Sequence, residues 1–198
     1  FTALLVLATA MSFTPGPNTT LSAALAANLG LRRALPFVCS VPVGFGALLC
    51  VCALGLGALL LAVPLLGWVV KIVGVVYLLW LAWKLTQATG LASADAVQMN
   101  VGFWQGASLQ FMNIKAWMLA LAIMGGWIAG RDHPAARFAI VLPVLLAFTF
   151  VSTLSYALMG SLLRDWLAGP EQTGMRLRWF NRAMAAVLVL TAGWMVTV

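Results

Sequence analysis

Lys115 is the most unusual residue of this chain. It lies in the middle of an apolar run, residues 103–129, about 20 Å along a helix from either end. That is beyond the reach of a lysine stem lifting its ammonium into water. A charge at such depth costs at least ~2.5–3.5 kcal/mol on insertion scales, so something polar must face it. Gln110 and Asn113 flank it and supply both donors and acceptors. A hundred residues upstream, a second apolar run is cut by Thr14-Pro15-Gly16-Pro17-Asn18. Each proline removes a backbone donor, and Pro15 also pushes Thr14 out of helical geometry. After Pro17 the restarting helix offers free N–H groups and its positive dipole end, which suit a carboxylate. Before Thr14 the ending helix leaves carbonyls that suit an ammonium. Together the two flanks could hold a zwitterion. Two readings of Lys115 stay open: a cation on a water-filled path that holds a carboxylate, or a structural lysine tied to the free carbonyls of the break.

The elements that position these residues are membrane helices. Hydrophobic residues make up 64% of the 198 and charged residues 8%, with a mean hydropathy of +1.05, whereas a soluble domain is about a quarter charged. A span needs ~20 apolar residues, so six spans with short loops fill the chain. The expected fold is an all-α integral membrane protein of about six transmembrane helices with a broken first helix. The net charge of +7 comes from Lys and Arg scattered at segment ends, as cytoplasmic loops carry them, and not from a nucleic-acid-binding cluster. Hydrocarbon tolerates a broken backbone only where it lines a cavity or is covered by protein, so the break points to a site for something polar.

In chain order, the first segment covers residues 1–30 and closes at Arg32 and Arg33. The second runs over 35–61, with Pro36 and Pro42 near its start and Ser40, Gly44, Gly46, Gly55 and Gly57 along it; small residues let helices approach closely in lipid. Pro64 and Gly67 predict a tight turn before the third, 68–85. Residues 87–102 read as a linker, giving a first repeat at 1–86 and a second at 103–198. Segments four to six cover 103–129, 136–163 and 179–198, the last after a polar loop at 164–178. Asp95, Asp132, Asp165 and Glu171 all fall in expected loops. Cys39, Cys50 and Cys52 are expected as small buried packers, and the lone His133 has no partners for a metal. No basic stretch precedes the first segment, so no cleavable leader is expected.

The two halves echo each other. Asn18 follows one break and Asn113 lies in the polar patch of segment four. Leu66-Gly67-Trp68-Val69-Val70-Lys71 resembles Leu177-Arg178-Trp179-Phe180-Asn181-Arg182, and Trp83 then falls opposite Trp194. Three spans per half turn the second half upside down, the inverted repeat of many secondary transporters. With the Arg32 loop cytoplasmic, that side holds Arg32, Arg33, Lys84, Arg164, Arg176, Arg178 and Arg182 against Lys71, Arg131 and Arg137 opposite, which places both termini outside. No paired aspartates, Ser-His pair or phosphate loop is in view, so neither an enzyme nor a cofactor is expected.

Phe13-Thr14-Pro15-Gly16-Pro17-Asn18, followed by Gly30-Leu31-Arg32-Arg33-Ala34 and Gly44, resembles the opening of the LysE/RhtB amino-acid exporters. Tyr77-Leu78-Leu79-Trp80-Leu81-Ala82-Trp83-Lys84 and Leu109-Gln110-Phe111-Met112-Asn113-Ile114-Lys115 are similar to two further family blocks. The resemblance implies efflux of amino acids or close derivatives across a bacterial inner membrane, driven by an ion gradient, with a proton as one candidate. Many members read Asn-Pro-Lys where this chain has Asn113-Ile114-Lys115; an aliphatic residue there resembles the cysteine/O-acetylserine branch and argues against a second helix break. Ala47 and Leu119 stand where exporters of basic amino acids carry acids, so the resemblance favours neutral cargo. The expected site is Thr14, Pro15, Gly16, Pro17, Asn18, Gly44, Gln110, Asn113 and Lys115. Asn18 and Asn113 would bridge the halves, and Gly16 and Gly44 would allow close approach. A homoserine/threonine or basic amino-acid exporter, and a non-transporting membrane scaffold, are the competing readings. A homo-oligomer stays open.

Overall fold

The computed structural model describes residues 2–88, 101–169 and 174–197. The linker reading and the positions of Asp95 and Glu171 therefore lie largely outside the described residues. The chain forms α1 (Thr2–Phe13), α2 (Pro17–Leu29), α3 (Leu31–Ala53), α4 (Leu56–Ala62), α5 (Pro64–Gln87), α6 (Phe103–Met112) and α7 (Ile114–Ile123). A π-helical turn (Met124–Ile128), α8 (Pro134–Ala168) and α9 (Met175–Thr197) complete it. No strand occurs among the described residues.

Helices α3, α5, α8 and α9 are long and apolar enough to cross a membrane, and α6 with α7 and the π turn makes a fifth such unit, bent by 67°. The first expected span is realised as two half-length helices. At 12 and 13 residues, each is about 20 Å long against a ~30 Å hydrocarbon core. They differ in kind. Helix α1 is apolar, whereas eleven of the thirteen α2 residues are buried, among them Thr19, Thr20, Ser22 and Asn28. Such a polar helix survives in the membrane because protein surrounds it: α2 packs on α8, α3 and α9.

Close approach explains that enclosure. A Cβ on Gly160 of α8 would overlap the backbone of Ala23 in α2, and one on Gly44 of α3 would overlap Ala107 in α6. A buried reciprocal amide pair ties the far end of α2 to α9: Asn28 Nδ2 donates to Asn181 Oδ1 at 2.8 Å and Asn181 Nδ2 to Asn28 Oδ1 at 3.0 Å. The second donor also reaches the Ala88 carbonyl beyond α5, at 3.1 Å. Apolar residues gather in two main clusters. One surrounds α2 with Phe37, Leu78, Leu85 and Leu188; the other joins α1, α3, α7 and α8 through Leu4, Leu48, Trp117 and Leu145.

Several sequence expectations are corrected. Segment two ends early, at Ala53, because Gly55 takes a left-handed conformation (φ 95°) that favours glycine and terminates helices. Pro64 does not form a turn before segment three; it opens α5 as its first residue, where its missing N–H would be unpaired anyway. Segment five extends through Ala168, so Arg164 and Asp165 lie on its last turn and not in a loop. Segment six likewise begins early, at Met175. Of the three thiols, Cys52 is buried but Cys39 and Cys50 are exposed.

Candidate functional site

The break after α1 is sealed by side chains from two other helices. Ser152 Oγ donates to the Ser12 carbonyl at 2.6 Å and Tyr156 Oη to the Phe13 carbonyl at 2.9 Å, both from α8. Lys115 Nζ donates to the Thr14 carbonyl at 2.9 Å. The carbonyls expected to await an ammonium are thus already taken, one of them by the ammonium of Lys115 itself. Helix α2 restarts from an extended Gly16. Thr19 Oγ1 accepts the Gly16 N–H at 3.0 Å and donates to the Gly16 carbonyl at 3.1 Å. Gly16 lies beside the lysine, where a Cβ would stand at an ordinary contact distance, 3.5 Å from Lys115 Nζ, so the lysine itself does not demand glycine there.

Segment four is broken too, contrary to the expectation drawn from Ile114. Asn113 adopts an extended backbone (φ −95°, ψ 102°), and its Oδ1 accepts the Lys115 N–H at 3.1 Å. Asparagine is among the best N-caps, so it restarts a helix without help from proline. Asn113 consequently caps α7 and does not bridge the halves. The bridge is Asn18 with Gln110, a reciprocal amide pair at 2.9 and 3.0 Å whose Gln110 Nε2 also donates to the Gly106 carbonyl.

Between the breaks lies a narrow cleft of about 50 Å³, room for a few waters and below the roughly 300–1,000 Å³ usual for ligand pockets. Of the nine expected site residues, Thr14, Gly16, Pro17, Asn18, Gln110, Asn113 and Lys115 line it. Pro15 and Gly44 are not among its lining residues; Gly44 serves the α3–α6 contact instead. The remaining wall is Met11, Phe45, Ala116 and Leu119 on the apolar side, with Ser12, Thr19, Thr149, Ser152 and Thr153 carrying hydroxyls. Thr149 and Thr153 give their protons to the Leu145 and Thr149 carbonyls at 2.8 and 2.9 Å. Their oxygens keep acceptor capacity. Among the described residues of the lining, Lys115 is the one ionisable side chain. Of the two positions marked for acids in basic amino-acid exporters, Leu119 is in the wall and Ala47 is not.

A helical membrane bundle with a polar cleft at two broken helices is the architecture of a transporter. The family of LysE type translocators matches residues 9–197 of this chain. The chain belongs to that family: it is an amino-acid exporter of the bacterial inner membrane and not an enzyme. Among its relatives, the cysteine/O-acetylserine efflux protein of Escherichia coli (strain K12) is 32% identical over 189 residues, covering 91% of this chain and 89% of the relative. The protein of the same description from Klebsiella pneumoniae is 29% identical over 186 residues, with the same coverage. That of Salmonella typhi is 32% identical over 156 residues, covering 77% and 78%. No solved structure matches this chain.

Proposed function

We propose that this exporter carries small neutral amino acids of the cysteine or O-acetylserine kind and holds them in the cleft between the two breaks. One observation carries the reading: among the described residues the lining has a single cation, Lys115, amides and hydroxyls, but no acidic side chain. A carboxylate pairs with the Lys115 ammonium and lies near the start of α2. The cargo's own ammonium goes to the hydroxyl oxygens of Thr149 and Thr153. A basic side chain would find a like charge and no counter-ion, which costs several kcal/mol. Phe45, Met11 and Leu119 leave room for only a small group beyond the cargo's Cβ. The descriptions of the E. coli and K. pneumoniae relatives agree with this class.

The driving ion is a proton, since Lys115 is the ionisable group in the lining and could pass one during the cycle. Access alternates between the two sides through two inverted halves. Three features support such a repeat: both halves hold a broken helix, α5 packs on α9, and each carries a cation over a tryptophan three residues earlier. Lys71 stands 5.0 Å from the Trp68 ring and Arg182 5.2 Å from that of Trp179. The test is efflux from proteoliposomes loaded with labelled cysteine, O-acetylserine or lysine, with and without a proton gradient. The first two should leave when the gradient is applied and lysine should stay. Lysine leaving at a comparable rate would refute neutral selectivity. Movement of none of the three would refute the cargo class, and gradient-independent efflux would refute proton coupling.

A further inference from the structure

We infer that Trp117 is a positioning residue for Lys115, acting through the carbonyl of Phe111. In an unbroken helix the Lys115 N–H would donate to the Phe111 carbonyl four residues back. At the break that bond is missing, and each of its ends has a substitute. The N–H goes to Asn113 Oδ1 at 3.1 Å, and the carbonyl accepts the indole N–H of Trp117 at 2.8 Å. Two side chains stand in for one backbone bond, and they hold the 67° bend between α6 and α7 that turns Lys115 onto Thr14. The indole is fixed in turn, since Trp117 is only 8% exposed and packed in the cluster of α1, α3, α7 and α8.

Removing the indole N–H leaves the Phe111 carbonyl unpaired at membrane depth, where lipid offers no replacement. The nearest repair is the Lys115 N–H. Taking it straightens the helix and draws the ammonium away from the cleft. A tryptophan that merely filled space would show no such dependence on a single hydrogen.

The inference rests on the reading of Lys115 as carboxylate holder, so two measurements on the full chain in nanodiscs separate them. The first is cysteine and O-acetylserine affinity, from ligand-dependent thermal shifts, for W117F, K115M and the double variant. W117F keeps a ring and loses the donor; a benzothienyl analogue at position 117, which replaces N–H by sulfur at equal shape, serves if phenylalanine disturbs packing. We expect affinity to fall about tenfold in W117F and the double variant to bind no worse than K115M alone, the signature of action through one shared partner. Wild-type affinity in W117F, or losses that simply add, would overturn the inference. The second is the distance between spin labels at Trp104→Cys and Met118→Cys in a background lacking Cys39, Cys50 and Cys52. It should lengthen when the donor is removed. An unchanged distance overturns the inference, whereas a longer distance with K115M binding normally upholds it and sinks only the cargo role of Lys115.

Discussion

Replacing Lys115 by methionine separates its two possible roles, because they predict effects of different kind. The substitution keeps the length of the stem and deletes the ammonium. For stability, two terms oppose each other. Deleting a charge from the bilayer interior relieves up to ~2.5–3.5 kcal/mol on insertion scales. Leaving the Thr14 carbonyl without its 2.9 Å donor costs ~1–3 kcal/mol. The balance runs from about 2.5 kcal/mol of relief to about 0.5 kcal/mol of cost, so K115M should fold, insert and unfold thermally no more easily than the parent. For binding, the ammonium would trade the Thr14 carbonyl for the cargo carboxylate, so only the surplus of that exchange is lost. A hydrogen bond to a charged partner contributes ~1.5–3 kcal/mol, and a surplus of up to about half of that should weaken cysteine or O-acetylserine binding by up to roughly tenfold. Unfolding in the absence of cargo gives the first quantity and the cargo-dependent shift gives the second. A variant that unfolds far more easily yet binds cargo with unchanged affinity would refute the carboxylate role and leave Lys115 as a strut for α1.

The packing yields three further expected outcomes. Asn181→Ala strands Asn28 Oδ1 and the Ala88 carbonyl and should cost about 2–4 kcal/mol; the Asn28→Ala/Asn181→Ala double should cost less than the sum by about 1–2 kcal/mol, and strictly additive unfolding data would deny the pair. Gly160→Ala drives a methyl into the Ala23 backbone and should cost about 1–3 kcal/mol, whereas Gly193→Ala meets nothing within 4 Å and should be neutral or stabilising by up to ~1 kcal/mol; equal thermal shifts for the two would contradict the close α2–α8 contact. Ser152→Ala releases the Ser12 carbonyl and should lower stability by about 1–3 kcal/mol while the preference for neutral over basic cargo in efflux assays is kept.

How much of the molecule is legible in its sequence depends on how local each cause is. The break at residues 14–18 is legible because proline acts through its own ring on its own neighbours. The break at Asn113 is not, although an N-capping residue stands in plain sight: a cap declares itself only when the helix before it has stopped, and Ile114 gives no stop signal. The depth of Lys115 is legible from spacing alone. Its partner is foreseeable only as one of two choices, since the carbonyls of a break can serve cargo or protein. The donors that take those carbonyls, Ser152 and Tyr156, sit on a 35-residue helix whose rotation no sequence pattern fixes. Pairing Asn18 with Gln110 rather than Asn113 is likewise a matter of which face of α6 turns inward, and Gly106 and Gly44 decide that by admitting α3.

The occupied carbonyl also bears on how an exporter can let go of its cargo. A lysine left bare at membrane depth would grip any carboxylate with the whole of its desolvation energy and release it slowly. Here the ammonium has a resident acceptor in the Thr14 carbonyl, so under the proposed carboxylate role of Lys115 cargo binding is an exchange of one acceptor for another. Both bonds are charge-assisted through the ammonium, so the gain is only what the second charge of the carboxylate adds, a modest surplus. The same exchange keeps the charge satisfied when the cleft empties, which lets the protein return without cargo. Carbonyl and cargo therefore compete for one ammonium, and weakening the resident bond should tighten binding while slowing release. Thr14 cannot be substituted to test this, because the acceptor is backbone. Gly16→Ala does not disturb the pair either, since its methyl stands at an ordinary contact distance, 3.5 Å from Lys115 Nζ. The half-saturating cargo concentration and the maximal efflux rate should both stay close to those of the parent, and a large change in either would show that the ammonium is held more tightly against Gly16 than that distance allows.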